Sequence, residues 1–457
     1  MKKREQFKRI INFAEGFFLL AAHVLLFAFM WYGYYAEELE RLGNPLFRGN
    51  WAVIGIYGLL LFLLNKLYGG FQIGYLRLMD VLYSQILSLL CTNIVAYAQI
   101  VLVSREYLSA IPLIRMTVFQ IVLILVWVFV CKMIYAALYP PRQILLVCSE
   151  RDPDDMITKM SSRQDKYEIC DIADLSQESL ESVCDMVTNY EAVLIYDIPA
   201  RERNIILKKC FTESVRTYVT PKISDILLRG SDDIHLFDTP LYLSRNKGLS
   251  GDQIILKRML DFSFSLFTVI LFSPLFLLIA LLIKLYDGGP VLYKQPRLTL
   301  DGKVFNIYKF RSMRIDSEKD GAQLAKKHDD RITPVGRVLR SLHLDELPQF
   351  FNIIKGDMSL VGPRPERPEI AEQYKEVIPE FDFRLKVKAG LTGYAQVYGK
   401  YNTTPYDKLK LDLTYIENYS FLLDIKLLLL TFKIIFQKEN TEGIDATQIT
   451  AIKKRSE

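Results

Sequence analysis

Two adjacent carboxylates, Asp345 and Glu346, stand in the run Arg340-Ser341-Leu342-His343-Leu344-Asp345-Glu346-Leu347-Pro348-Gln349-Phe350-Phe351-Asn352. Leu347, Phe350, Phe351 and Ile354 mark the apolar face of a helix. Proline is accepted only in a helix's first turn, because it lacks an N–H and its ring clashes with the turn before it. Pro348 therefore puts the two acids at or just before a helix N-terminus. Free amides and the helix dipole stabilise carboxylates there and also attract phosphate. Asp345 as a plain helix cap is one reading. The other is metal-assisted phosphoryl transfer: one carboxylate serves as nucleophile or metal ligand, and a cation such as Arg340 neutralises the moving group.

Two further clusters flank these acids. Tyr308-Lys309-Phe310-Arg311-Ser312-Met313-Arg314 sets three cations on a strand-like stretch begun by Val304-Phe305-Asn306-Ile307, and these could line a phosphate site. Downstream, Gly362-Pro363-Arg364-Pro365 fixes a stiff backbone that presents one guanidinium. Arginine suits bidentate contact with a phosphate or a planar base edge. A solvated charge run and a plain structural turn are the plainer readings of these two clusters.

These groups need elements to position them. The chain has 457 residues, 51% hydrophobic and 24% charged, with a formal net charge of +5 and a mean hydropathy of +0.15. Most of the charge lies after Arg142, and the first 140 residues are almost wholly apolar. This excludes a disordered chain, a coiled coil or a disulfide-stapled secreted domain. The net charge is too small to point to nucleic acid. Six scattered cysteines form no Cys-x-x-Cys pair and read as free thiols. With four histidines, no zinc site is expected.

About 20 mostly apolar residues are needed to cross a bilayer. Four such spans are predicted: Ile10–Ala36, Trp51–Tyr68, Met79–Val103 and Ile111–Tyr139. The first is too long for a signal-peptide core and reads as a retained anchor. Glu15 and His23 within it should face other helices, or snorkel in the case of Glu15. Lys2, Lys3, Arg4, Lys8 and Arg9 precede it, so the N-terminus should be cytoplasmic and four crossings return the chain there. Trp31, Tyr32, Tyr34 and Tyr35 fit an interfacial aromatic belt.

After Pro140 the pattern changes. Gln143–Val147, Val193–Tyr196 and Val215–Val219 read as strands, with helical patterns between them such as Gln177–Thr188. Alternating strands and helices imply a parallel sheet. The turn after the first strand, Cys148-Ser149-Glu150-Arg151-Asp152-Pro153, has no glycine and carries acids, so a dinucleotide is not expected there. Asn246–Gln253 reads as a linker.

Phe262–Ile283 is 22 uncharged residues, long enough to span. Ser273-Pro274 lies at its midpoint, where proline should break or kink the helix. Between Gly288 and Leu344 there are 12 Lys/Arg against 6 Asp/Glu. A full crossing would export this basic region against the positive-inside tendency, whereas turning back at Ser273-Pro274 would keep both ends cytoplasmic. A kinked fifth span is the alternative. Arg384-Leu385-Lys386-Val387-Lys388 could hold the domain against anionic headgroups.

Residues from about Ile254 to Phe436 resemble the bacterial sugar transferases, the monotopic polyprenyl-phosphate phosphoglycosyl transferases. The resemblance rests on Lys257-Arg258-x-x-Asp261, Ser273-Pro274, Lys309-Phe310-Arg311-Ser312-Met313, Leu344-Asp345-Glu346-Leu347-Pro348-Gln349, Asp357-Met358-Ser359-Leu360-Val361-Gly362-Pro363-Arg364-Pro365 and Gly390-Leu391-Thr392-Gly393-Tyr394-Ala395-Gln396. The whole chain is similar to the family's long form. That implies a multidomain membrane protein: a four-helix transmembrane bundle at 1–139, a Rossmann-like α/β domain at 140–245, an α+β catalytic domain at 254–437 with a re-entrant helix at 258–286, and a polar tail at 438–457.

The resemblance also implies a reaction. Sugar-1-phosphate would pass from a UDP-sugar to undecaprenyl phosphate, releasing UMP, with Asp345 as nucleophile, Glu346 as its dyad partner and Mg2+ held by both. Lys309, Arg311 and Arg340 would bind substrate, with Gln396 and the turn Pro363-Arg364-Pro365 contributing to the donor site. The enzyme would sit in the bacterial inner membrane with its catalytic domain on the cytoplasmic face. It would start capsule, exopolysaccharide or O-antigen synthesis, as a homodimer formed through the middle domain. Two rivals remain at this stage: a nucleotide-sugar-modifying enzyme using the middle domain, and a non-catalytic scaffold or regulator of polysaccharide assembly. No motif reads out the sugar.

Overall fold

The computed structural model describes residues 7–43, 45–149, 151–236, 238–244, 248–314, 331–400 and 403–435. The tail at 438–457 and the linker residues Asn246 and Lys247 lie outside them. The chain divides into two compact units, Met1–Pro221 and Lys222–Glu457.

In the first unit, four helices are long and apolar enough to cross a membrane. Helix α1 (Lys8–Met30) continues through a π turn at Trp31–Tyr35 into Ala36–Arg41. α2 (Gly49–Tyr68), α3 (Leu78–Ser104) and α4 (Ile111–Leu138) follow. The aromatic cluster differs from the expected belt. Tyr32 and Tyr34 are exposed, but Trp31 and Tyr35 are fully buried in the bundle. Trp31 and Tyr35 are four residues apart and so share the helix face that packs on the bundle, while Tyr32 and Tyr34 lie off it. Trp31 Nε1 donates to Asn50 Oδ1 at 2.9 Å and Tyr35 OH to the Ser109 carbonyl at 2.8 Å, so neither polar tip is orphaned.

Apolar contact between helices gains little in lipid, so polar contacts help to fix the register. Here they involve all four helices. Tyr57 OH donates to Asn93 Oδ1 (3.0 Å), Asn93 Nδ2 donates to Thr117 Oγ1 (2.8 Å), and Gln120 Nε2 donates to Tyr57 OH (3.0 Å) and the His23 carbonyl (3.4 Å). Glu15 and His23 are both buried in the bundle.

The same unit continues as β1 (Arg142–Cys148), α5 (Asp154–Ser161), β2 (Tyr167–Asp174), α6 (Leu180–Met186), β3 (Ala192–Tyr196), α7 (Ala200–Thr212) and β4 (Arg216–Val219). The strands form one parallel sheet in the order β2-β1-β3-β4. β1 and β3 are hydrophobic runs with nearly every residue buried, as a doubly covered parallel strand requires. β2 was not anticipated: it lies at the sheet edge and carries Glu168, Asp171 and Asp174 on a mostly exposed face, so it lacks the apolar signal.

The second unit opens earlier than the sequence division at 245. α8 (Ile223–Arg229) inserts Ile223 and Ile226 into a core built of Ile307, Ile353, Met358, Leu360, Leu409 and Leu413. The hairpin β5–β6 (Asp232–Leu236, Thr239–Leu243) follows. Then come α9 (Gly251–Leu271) and α10 (Ser273–Asp287), the antiparallel pair β7 (Leu292–Leu298) and β8 (Val304–Phe310), and α11 (Pro334–Ser341). A 3₁₀ turn at Leu344–Glu346 leads into α12 (Gln349–Lys355) and β9 (Ser359–Val361). α13 (Pro368–Val377), a 3₁₀ stretch at Pro379–Lys386, β10 (Gly390–Thr392), α14 (Tyr394–Tyr398), α15 (Pro405–Glu417) and α16 (Phe421–Ile435) complete the described chain.

α9 and α10 form a pair bent by 63°. Pro274 can donate no backbone hydrogen bond, and Ser273 Oγ donates at 2.8 Å to the Ile270 carbonyl freed at the break. Phe267, Ile270, Leu271, Leu277, Leu281 and Leu285 are all exposed on this pair. Its polar base is tied to the rest of the unit. Lys257 Nζ meets Asp424 Oδ2 at 2.6 Å and Tyr415 OH at 3.0 Å. Arg258 donates at 2.6 Å to the Ile353 and Ile354 carbonyls at the end of α12. Asp261 Oδ1 accepts from Leu360 N (2.9 Å) and Ser359 Oγ (3.1 Å). Each charged member of the Lys257-Arg258-x-x-Asp261 motif thus has a buried or half-buried partner.

Candidate active site

The two acids reach their position through a reversal of the chain. α11 ends at Ser341, and two residues on His343 has a φ of 55°, in the left-handed region that histidine tolerates better than most residues. The chain then forms the 3₁₀ turn that carries Asp345 and Glu346. Pro348 caps α12, as its chemistry demands, so the acids occupy a turn of their own one step before the helix. The buried face of α12 is Phe350 and Ile353, with Gln349 and Asn352. Phe351 is more exposed than its spacing implied and meets Phe276 of α10 edge-on at 5.7 Å. Asn352 braces the turn to β8: its Oδ1 accepts from Tyr308 N (2.9 Å) and its Nδ2 donates to the Asn306 carbonyl (2.8 Å).

Asp345 is only 9% exposed, and among the described residues no hydrogen-bond donor or salt-bridge partner meets its carboxylate. Burial raises its pKa, and Glu346 adds to the effect, against the opposing pull of Lys309, Arg340 and His343. Glu346 is the contrasting case. Burial pushes it up, but Lys309 and Arg364, with a direct bond from the Lys309 ammonium, hold it well below the usual carboxylate range. Glu346 Oε1 lies 2.7 Å from Lys309 Nζ and 3.2 Å from Arg364 Nη2. Two neighbouring acids with pKa values pushed in opposite directions are the signature of divided roles.

Arg364 is presented by a clamped loop. Gly362 N donates to the Thr392 carbonyl (2.8 Å) and Gly390 N to the Pro363 carbonyl (2.9 Å). A side chain at Gly362 would sit 2.3 Å from the Lys388 carbonyl, so only glycine allows this approach. Arg384 Nη2 donates to the Arg364 carbonyl at 3.0 Å while the same guanidinium pairs with Asp412 at 2.7 Å. This corrects the reading of Arg384–Lys388 as a membrane-facing basic stretch: Arg384 and Val387 are buried, and Arg384 is committed to the interior.

Lys309, Glu346, Gln349, Arg364 and Pro365 line one shallow cleft, with Arg297, Ile307, Gly390 and Leu391. Pro363 and Arg364 border a second recess beside Arg384. Arg340 donates from Nε to Ser312 Oγ at 2.9 Å, and its charge acts on Asp345. Two further expected binding residues are not among those lining the first cleft, though Gln396 bonds to one that is. Arg311 pairs with Asp287 at the end of α10, and Gln396 Nε2 donates to the Leu391 carbonyl at 3.1 Å. Arg297 is not marked in the sequence: it shares β7 with Lys294, stands opposite Phe305, and lies outside the motifs quoted above.

Lys309→Met should destabilise the protein by about 1.5–3 kcal/mol at neutral pH, since Glu346 loses its ammonium partner. The pH dependence fixes the sign. In the wild type a depressed Glu346 pKa contributes stability above the unfolded carboxylate pKa, lost as pH falls through the folded one. In the variant that contribution shrinks, so its thermal midpoint should lie furthest below wild type near pH 8 and converge on it in acid. An equal gap at all pH values would contradict the pairing.

Among the described residues no group of three or more His, Cys, Asp or Glu could hold a metal by itself. Magnesium, however, is commonly bound by one or two carboxylates, with substrate phosphate and water completing its shell. Asp345, with no donor among the described residues on its oxygens, fits that requirement beside Glu346.

The model of the family described as bacterial sugar transferase matches residues 252–438. An Aeromonas hydrophila protein named UDP-N-acetylgalactosamine-undecaprenyl-phosphate N-acetylgalactosaminephosphotransferase is 39% identical over 252 residues, 54% of this chain and 59% of its own. A Klebsiella pneumoniae UDP-glucose:undecaprenyl-phosphate glucose-1-phosphate transferase is 41% identical over 209 residues, 45% of this chain and 43% of its own. A Caulobacter vibrioides protein of the same name is 40% identical over 189 residues, 40% of this chain and 71% of its own. The chain thus spans about half the length of the first two and more than two thirds of the third. The aligned region carries the acid pair, the basic strand and the clamped arginine loop, and with them the chain belongs to the bacterial sugar transferase family.

Proposed function

We propose that the protein transfers a sugar phosphate from a UDP-sugar to undecaprenyl phosphate, releasing UMP, and so starts the assembly of a capsule, exopolysaccharide or O-antigen. The observation that carries this reading is the Asp345 carboxylate: nearly buried, meeting no donor among the described residues, and flanked by Lys309, Arg340 and a second, firmly ionised acid. A helix cap would be engaged by backbone amides, and no backbone amide among the described residues meets this carboxylate. A nucleophile needs its lone pairs free.

In this reading an Asp345 oxygen attacks the β-phosphorus of the donor. The bond from that phosphorus to the bridging oxygen breaks, and UMP leaves with the electron pair. An oxygen of undecaprenyl phosphate then attacks the same phosphorus and releases the Asp345 carboxylate. Lys309 and Arg364 hold Glu346 ionised and face the charge of the diphosphate, and Arg340 offsets charge at Asp345. Magnesium, held by Asp345 and Glu346, would supply further neutralisation of phosphate charge.

The bent pair α9–α10 supports a re-entrant wedge. Its exposed apolar faces suit lipid, its charged base is fastened to the catalytic unit, and a wedge of this kind keeps both ends on the cytoplasmic side. The acceptor's phosphate waits at the bilayer surface, so a site at the foot of the wedge meets both substrates. The parallel order β2-β1-β3-β4 supports a Rossmann-like middle domain, the glycine-free acidic turn after β1 speaks against a dinucleotide, and we assign that domain to assembly of a homodimer. A panel of UDP-sugars, each given with undecaprenyl phosphate and magnesium to the purified protein in detergent, tests the activity. Acceptor-dependent UMP release with at least one donor is expected. Its absence across the panel would favour a scaffold.

A further inference from the structure

We infer that Arg297 is a third cationic ligand of the donor's diphosphate, an inference that rests on the transferase reading and extends it to a residue outside the family motifs quoted above. Its guanidinium makes two bonds to the protein: Nη1 donates to the Pro365 carbonyl at 3.0 Å and Nη2 to Gln295 Oε1 at 2.7 Å. The third donor, Nε, is buried and meets no acceptor among the described residues. A buried N–H without a partner is costly, and a site that keeps one suggests a ligand that accepts from it.

The cleft's charge points to the class of ligand. Arg297, Lys309 and Arg364 line it, against the single carboxylate of Glu346. Burial pulls the Arg297 guanidinium down to about 10, against the upward pull of Glu366, with Arg364 and Arg367 adding repulsion. Three cations converge on one shallow cavity, and their repulsion is relieved by a ligand with a pair of negative charges. A diphosphate is such a ligand, and guanidinium is the cation best suited to it. The bond to Pro365 ties this cation to the loop that presents Arg364, and the backbone bond from Leu298 N to the Glu366 carbonyl (3.0 Å) reinforces it. Both arginines therefore hold fixed positions before a ligand arrives.

The test uses UDP and uridine as probes, with the full-length protein in one detergent and calorimetry as the readout. Arg297→Met should weaken UDP binding by about tenfold or more, and Arg297→Lys by a smaller but clear factor, since an ammonium keeps the charge but lacks the planar fork that holds Pro365 and Gln295 while facing a phosphate. Uridine binding should stay within about twofold of wild type in both. Equal losses for UDP and uridine would reduce Arg297 to a brace for the Pro363–Pro365 turn and overturn the inference, as would UDP affinities that do not change. Should Arg297→Met fail to fold, Arg297→Lys decides by the same criteria. Failure of the wild type to bind UDP would instead sink the transferase reading and this inference with it.

Discussion

Asp345→Asn is expected to abolish turnover, by at least about a thousandfold, in a protein that folds as well as the wild type or better. Both halves follow from one observation. The Asp345 carboxylate is nearly buried and unsupported by any donor among the described residues, so its charge opposes folding. Asparagine has almost the same shape, carries no charge and offers no oxygen nucleophile of comparable strength. The folded pKa lies above the unfolded one, so the folded state favours the protonated acid. The penalty is absent below the unfolded carboxylate pKa and complete above the folded one. The asparagine variant should therefore show its advantage in thermal midpoint at pH 7 and lose it toward about pH 4. If Asp345 were a helix cap, the same substitution would change stability little and leave any activity in place.

The second large effect concerns the base of the bent pair α9–α10. Lys257→Ala should destabilise the protein by about 3–5 kcal/mol, because it strands Asp424, 1% exposed, without its counter-charge. The double variant Lys257→Met with Asp424→Leu should recover most of the loss, since a buried pair can be exchanged for apolar side chains of similar size at little net cost. Denaturant midpoints in one detergent would give the coupling. A headgroup-facing lysine would instead lose less than about 1 kcal/mol and show no coupling to Asp424.

The sequence reading reached these residues unevenly, for physical reasons. Four helices long and apolar enough to cross a membrane, and the broken fifth segment, were legible because bilayer thickness sets an apolar length, and proline cannot sit inside a helix without consequence. The buried strands β1 and β3 were legible for the same kind of reason. β2 was not, because an edge strand with Glu168, Asp171 and Asp174 carries no apolar alternation. At the site, local chemistry was readable and pairing was not. Pro348 located the acids to within one turn, but nothing in the order of residues says that Lys309 reaches Glu346 while Arg311, two positions on, reaches Asp287. Arg384 looked like a surface cation until Asp412, from a distant helix, was seen to meet it. Arg297 carried no local signal at all, because what marks it is an empty donor and a shared cleft.

The central claim is that Asp345 carries the phosphosugar between donor and acceptor. Full-length protein incubated with magnesium and an active UDP-sugar, without undecaprenyl phosphate, should gain the mass of one sugar phosphate and release UMP in equal amount. Peptide mapping should place the adduct on Asp345, and Asp345→Asn should show none. An adduct on another residue, or no adduct under conditions that support turnover once acceptor is added, would contradict the account.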